Sequence, residues 1–152
     1  IDGTGIFMDN ALGEIELNPL GIHALPPGTR LVSNMAPSIL DYQTPKGHYT
    51  VGLGTPGASR IPTALTQVVY QLTTQHASLE DALKAPRIHW EDNKLLFEPG
   101  ITLQTDQCPC NWDITPFDTL NMYFGGVQAV GIHETLHACA DPRRAGLALV
   151  TS

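Results

Sequence analysis

The stretch that decides the fold is HYTVGLGTPGASRIPTALTQVV, residues 48–69. It starts strand-like, passes Gly52, Gly54 and Gly57, and continues with Ile61, Leu65, Val68, Val69 and Leu72 at helical spacing. Pro62 is tolerated because it falls in the first helical turn. A strand therefore runs through a glycine turn into a helix, and the question is what that turn holds. GLGTPG fits G-x-G-x-x-G, but a dinucleotide fold needs an acid ending a second strand about 20 residues on. At that distance stand Glu80 and Asp81, inside a helix start. A phosphate loop of the Walker type needs Lys before Ser59, where this chain has Ala58. Two readings stay open: a sharp turn whose N–H groups and helix N-terminus suit an oxyanion, or a plain connection without a ligand.

Around this unit, MAPSILDYQ (35–43) and HYTVGLG (48–54) read as strands joined by a turn at TPKG (44–47). SLEDALKAP announces a second helix, with Ser78 and Asp81 approximating a capping box and Pro86 as the stop. RIHW and KLLFE read as strands about a turn at Asp92 and Asn93. VQAVGIHETLHACA reads as a hairpin bent at His133 to Thr135. Residues 1–17 are expected to form a glycine turn and then a short apolar strand, GIFMDNALGEIEL, and the Pro- and Gly-rich residues after them an irregular loop. Residues 99–124 are expected to be mostly loop, with one helical turn at FDTLNMY. Strands outnumber helices and the two helices are consecutive, so the expected class is α+β.

The 152 residues suit one domain, with 42% hydrophobic and 15% charged residues. A net charge of −7 opposes binding to a phosphate backbone and favours a small polar substrate. Cys108, Cys110 and Cys139 form neither a disulfide framework nor a zinc ribbon. His133 and His137 sit in strand-like sequence that is expected to point them apart, so a metal site is not expected. Asp141, in ADPRRAG, is expected to be satisfied by its own backbone. The chain opens at IDGTGIFM without a signal-like region, and reads as the interior of a longer polypeptide. Near the glycine turn, Ser33 and Asn34 precede a strand, while Asp9, Asn10 and Glu14 follow one. Such hydroxyl, amide and carboxylate groups suit the two ends of a free amino acid.

Taken together these segments resemble the small, catalytic subunit of the γ-glutamyltranspeptidase family, of the N-terminal nucleophile hydrolases. GIFMDNALGEI is similar to that family's G-I-L-L-N-N-x-M-D-D-F, RLVSNMAPSI to R-P-L-S-S-M-S-P-T-I, and GTPGASRI to G-S-P-G-G-S-R-I. APRIHW and ACADPRRAG resemble A-P-R-F-H-H and G-A-S-D-P-R-S, in the same order along the chain. The resemblance implies part of a four-layer αββα sandwich, with its first strands missing. It assigns Asn10 and Glu14 to the glutamyl α-amino group, and Ser33 with Asn34 to its α-carboxylate. It assigns the backbone N–H groups of Gly57 and Ala58 to the oxyanion hole, Ala being acceptable there provided φ is not positive. Arg30, Arg60 and Arg87 are implied to position loops through ion pairs.

The implied reaction is γ-glutamyl transfer or hydrolysis through a threonyl ester, without metal or organic cofactor. The partner implied is the large subunit of the same precursor, and the compartment periplasmic, secreted or membrane-anchored. Ala11 and Gly13 stand where the family carries polar or acidic residues, so the acyl group can differ from plain γ-glutamyl, as in an amidase or acylase of the superfamily. The nucleophilic Thr is expected roughly thirty residues upstream of Ile1, which leaves this chain inactive by itself. A non-catalytic module on the same scaffold is the other reading.

Overall fold

The computed structural model describes residues 2–5, 11–104 and 111–151. The chain divides into two compact units, Ile1–Met35 and Ala36–Ser152. In the first, the described residues form short 3-10 turns at Ala11–Gly13 and Ile15–Leu17, followed by irregular chain. The short apolar strand expected ahead of Asp9 falls on residues outside the described ones; from residue 11 on the chain forms helical turns. Asn18 caps them, its side-chain amide donating to the Glu14 carbonyl at 2.7 Å, a local bond that competes with extended backbone. Residues 6–10 lie outside the described residues.

The second unit contains strands β1 (Ser38–Thr44), β2 (Gly47–Gly54), β3 (Ile88–Glu91), β4 (Lys94–Phe97), β5 (Asp113–Pro116), β6 (Gln128–His133) and β7 (Thr135–Cys139). Its helices are α1 (Arg60–Thr73) and α2 (Leu79–Lys84). One sheet runs β1-β2-β6-β7 and is antiparallel throughout; the other runs β3-β4-β5. The hairpin turns and both helices follow the sequence reading. Asp92 and Asn93 take φ values of 50° and 61°, the left-handed pair that a two-residue hairpin requires. Ser78 caps α2 by accepting the Asp81 N–H at 3.1 Å. Strand β5 is a departure from the expected loop at 99–124: it joins β4 in parallel, a long-range pairing that its own four residues do not announce.

Period-two alternation places Val51 and Leu53 of β2 and Ala129 of β6 on one face of the first sheet. There they meet Ile61, Ala64, Leu65, Val68 and Leu72 of α1, and Ala82 and Leu83 of α2. The other face exposes apolar side chains among the described residues of this unit. Ile39, Val130 and Leu136 are 82%, 62% and 59% exposed, and Ile39, Gly52, Val130 and Ala138 lie side by side in register. The two sheets are linked through α1, where the Gln67 side chain pairs with both backbone groups of Ile88, each at 2.9 Å.

A buried ionic cluster closes the unit. Asp141 takes the Arg87 guanidinium at 2.6 Å and the Arg143 guanidinium at 3.1 Å, and Arg143 also pairs with Glu98. The four side chains are at most 2% exposed and formally neutral as a group. Asp141 does accept a bond from its own turn, Arg143 N at 2.9 Å, but its main partners are distant in sequence. Burial holds the Arg87 guanidinium below its ordinary range. Burial pulls on Arg143 too, but hydrogen bonds and charge from Glu98 and Asp141 outweigh it and raise that guanidinium. Asp141→Ala strands buried cations, and is expected to lower the free energy of unfolding by about 3–5 kcal/mol in urea titration; a loss under about 1 kcal/mol would show the cluster to be energetically idle.

Candidate active site

The glycine turn between β2 and α1 carries two successive residues in positive φ. Gly57 has φ 132° and Ala58 φ 45°. Their backbone N–H groups donate to no other group among the described residues, while their carbonyls accept the N–H groups of Arg60 and Ile61 at 2.8 and 3.1 Å. The turn is half-buried, and α1 starts immediately after it with no acidic residue in its first turn. Among the described residues, two donors without a partner thus stand just before the positive end of a 14-residue helix.

The condition set for Ala58 fails: its φ is positive. Alanine therefore carries strain where glycine would not, about 1–2 kcal/mol for the left-handed conformation. Ser59, the residue before α1, does not cap the helix with its side chain. Its hydroxyl instead donates to Glu91 Oε2 at 3.1 Å and accepts from Arg60 Nη1 at 2.8 Å. Glu91 also faces His89 Nε2 at 3.4 Å, and His89 Nδ1 lies 3.0 Å from the Thr63 hydroxyl. Arg60 stacks over the Tyr123 ring at 4.9 Å. Strand β3 and helix α1 thereby fix the first residue after the turn. Arg60 and Arg87 hold loops as expected, whereas Arg30 is exposed and joins no ion pair among the described residues.

Behind the turn, Thr55 Oγ1 accepts the Gly126 N–H at 2.9 Å and donates to the Pro56 carbonyl at 3.0 Å. The sequence reading passed over these residues; the adjacent glycines 125 and 126 were the visible signal.

The other expected residues belong to the N-terminal unit. Glu14 is exposed, ahead of the Ile15–Leu17 turn. Ser33 is exposed and accepts the Met35 N–H at 3.2 Å, and Asn34 is half-buried. Asn10 lies outside the described residues, as do Cys108 and Cys110.

A cavity of about 190 Å³ lies at the opposite end of β2, lined among others by Tyr42, Lys46, Tyr49, His76, His133 and His137. His133 and His137 thus share a cavity instead of diverging, because they sit on opposite arms of the β6–β7 hairpin. Among the described residues no group of three His, Cys, Asp or Glu is placed to hold a metal. Among the described residues no helix is long and apolar enough to cross a membrane.

Because φ at residue 58 is positive, Ala58→Gly is expected to stabilise the protein by about 0.5–1 kcal/mol, the relief of strain exceeding the added chain entropy. An unchanged or lower melting temperature would contradict the left-handed assignment.

Comparison with known proteins gives a consistent neighbourhood. The family model described as Gamma-glutamyltranspeptidase matches residues 1–151. A glutathione hydrolase proenzyme from Pseudomonas aeruginosa is 28% identical over 170 residues, covering 99% of this chain and 29% of that protein. An acylase ACY 1 proenzyme from a Pseudomonas species is 32% identical over 101 residues, covering 66% of this chain and 18% of that protein. Among solved structures, the transpeptidase enzyme CapD of Bacillus anthracis superposes with a TM-score of 0.68 at 28% identity, covering 82% of this chain and 75% of that one. The chain spans less than a third of the length of these curated relatives.

Proposed function

Because this chain belongs to the gamma-glutamyltranspeptidase family, we propose that it supplies the oxyanion hole and the amino-acid clamp of an enzyme that transfers or hydrolyses γ-glutamyl amides. The observation that carries the proposal is the Gly57–Ala58 turn, whose two N–H groups are unspent at the start of α1. Such donors stabilise the charge that develops on a carbonyl oxygen as a nucleophile adds, and removing one typically costs 10²–10³-fold in rate. In this reading a threonine hydroxyl outside this chain attacks the γ-carbonyl carbon, with its own α-amine taking the proton. The tetrahedral oxyanion rests on Gly57 N–H and Ala58 N–H. Collapse expels the amine with that proton and leaves a threonyl ester, which water or an acceptor amine then resolves. Ser33 and Asn34 donate to the α-carboxylate of the glutamyl group, and Glu14 with Asn10 holds its α-ammonium.

The partner in this reading is the larger chain of the same precursor. The relatives named proenzymes and the uncovered apolar face of the first sheet both support it. In a four-layer sandwich that face packs on a second sheet. Val130→Asp, at the centre of the exposed face, is expected to leave the fold of this chain intact by circular dichroism and to abolish co-elution with the large chain; undiminished co-elution would remove that face from the interface.

A second reading keeps the chemistry and changes the acyl group. The similarity to an acylase and the small residues Ala11 and Gly13 beside Glu14 favour it. Hydrolysis of a γ-glutamyl anilide by the two-chain protein separates the two. Glu14→Ala is expected to lower kcat/KM for that substrate by roughly thirty-fold or more, about 2 kcal/mol, because the substrate ammonium loses its charged partner. Equal turnover of an anilide lacking the α-amino group, unaffected by Glu14→Ala, would select the acylase reading.

A further inference from the structure

A hydroxyl directly behind the glycine turn ties it to a loop suspended from the buried ionic cluster. Residues Phe124 to Val127 hang from Arg87 and Asp141 at both ends: Arg87 Nη1 donates to the Phe124 carbonyl at 3.1 Å, and Val127 N–H donates to Asp141 Oδ2 at 2.8 Å. The middle of that loop presses on the turn. A Cβ added to Gly125 would lie 2.7 Å from Thr55 Oγ1 and 3.3 Å from the Pro56 carbonyl oxygen, and one added to Gly57 would lie 3.6 Å from Gly125 Cα. Only glycine at 125, at φ 85°, permits this approach. Thr55 uses its hydroxyl twice, accepting from Gly126 N–H and donating to Pro56 C=O. The peptide that ends in the Gly57 N–H begins with that Pro56 carbonyl. Its C=O and N–H lie in one rigid plane and point in opposite directions, so fixing the first fixes the direction of the second.

We propose that Thr55 is the positioning residue of the oxyanion hole: its hydroxyl clamps the Pro56 carbonyl on the side of the Gly125–Gly126 loop and so holds the Gly57 N–H aimed at the developing oxyanion. The proposal rests on the oxyanion-hole reading above. Thr55 touches no reacting atom in it; it acts through the orientation of one peptide plane, a preorganisation that matters most when charge develops.

The test compares the wild type, Thr55→Val and Thr55→Ser in the two-chain protein, using γ-glutamyl anilide hydrolysis and inhibition by a γ-glutamyl phosphonate that mimics the tetrahedral oxyanion. The wild type is expected to bind the phosphonate at least about 100-fold more tightly than substrate. Thr55→Val keeps the shape of the side chain and removes the hydroxyl. It is expected to lower kcat about tenfold and weaken the phosphonate by the same factor, with KM within about twofold. Thr55→Ser is expected to restore both. A wild type without preference for the phosphonate would overturn the oxyanion-hole reading and this proposal with it. A wild type that prefers it, with kcat and phosphonate affinity unchanged in Thr55→Val, would overturn this proposal alone. So would a fall in melting temperature without a fall in kcat, or failure of serine to rescue.

Discussion

The structure of the larger unit depends on the neutral cluster of Arg87, Glu98, Asp141 and Arg143. Each charge is removed from water, and each is repaid by more than one partner: Arg143 alone reaches Glu98, Asp141 and the carbonyls of Leu83 and Ala85. Those carbonyls end α2, where the free acceptors of a helix terminus face a cation. Glu98 binds the N–H groups of Arg87 and Asn121, and Asp141 that of Val127. One cluster therefore joins the end of α2, the entry to β3, the exit of β4, the turn before β6 and the loop after β7. Such a cluster is weak evidence of stability in itself, since well-packed apolar residues often do as well. Its contribution here is geometric, because it gathers five segments at one point and binds backbone groups of four of them.

That fixed point lies behind the glycine turn. The chain from Phe124 to Val127 is held by the cluster at both ends, and its two glycines let it lie against Thr55, Pro56 and Gly57. On the other side, Ser59 is held by Glu91 from β3. A strained residue, Ala58 with φ 45°, persists between these two supports. Strain of this kind survives only where the surroundings over-determine the backbone, and it is a common property of functional turns. The conformation at 57 and 58 thus rests on a glycine in the turn and on contacts at both flanks.

The two faces of the first sheet show the same division between local and distant causes. Its inner face is complete: Val51, Leu53 and Ala129 are covered by two amphipathic helices. Its outer face carries Ile39, Val130, Ile132 and Leu136 in contact with water. A sheet apolar on both sides is half of a sandwich, and the family to which this chain belongs is built as one. The described chain contributes one helical layer and the sheet that it covers.

Much of this was legible in the order of residues. Alternation at 48–54 and helical spacing from Ile61 to Leu72 specified the strand–turn–helix unit, and Ser78, Pro86, Asp92 and Asn93 marked ends and turns, because those signals act within a few residues. The chain also carried the family pattern, including the Gly57–Ala58 turn. Other features required the tertiary structure. Strand β5 exists because β4 offers it an edge, and Asp141 serves Arg87, 54 positions away. Periodicity reports which side of a segment is buried; it does not report what lies against it. The left-handed φ of Ala58 belongs with these, since alanine states no preference for it and its neighbours Gly57 and Ser59 are held by Gly125 and Glu91.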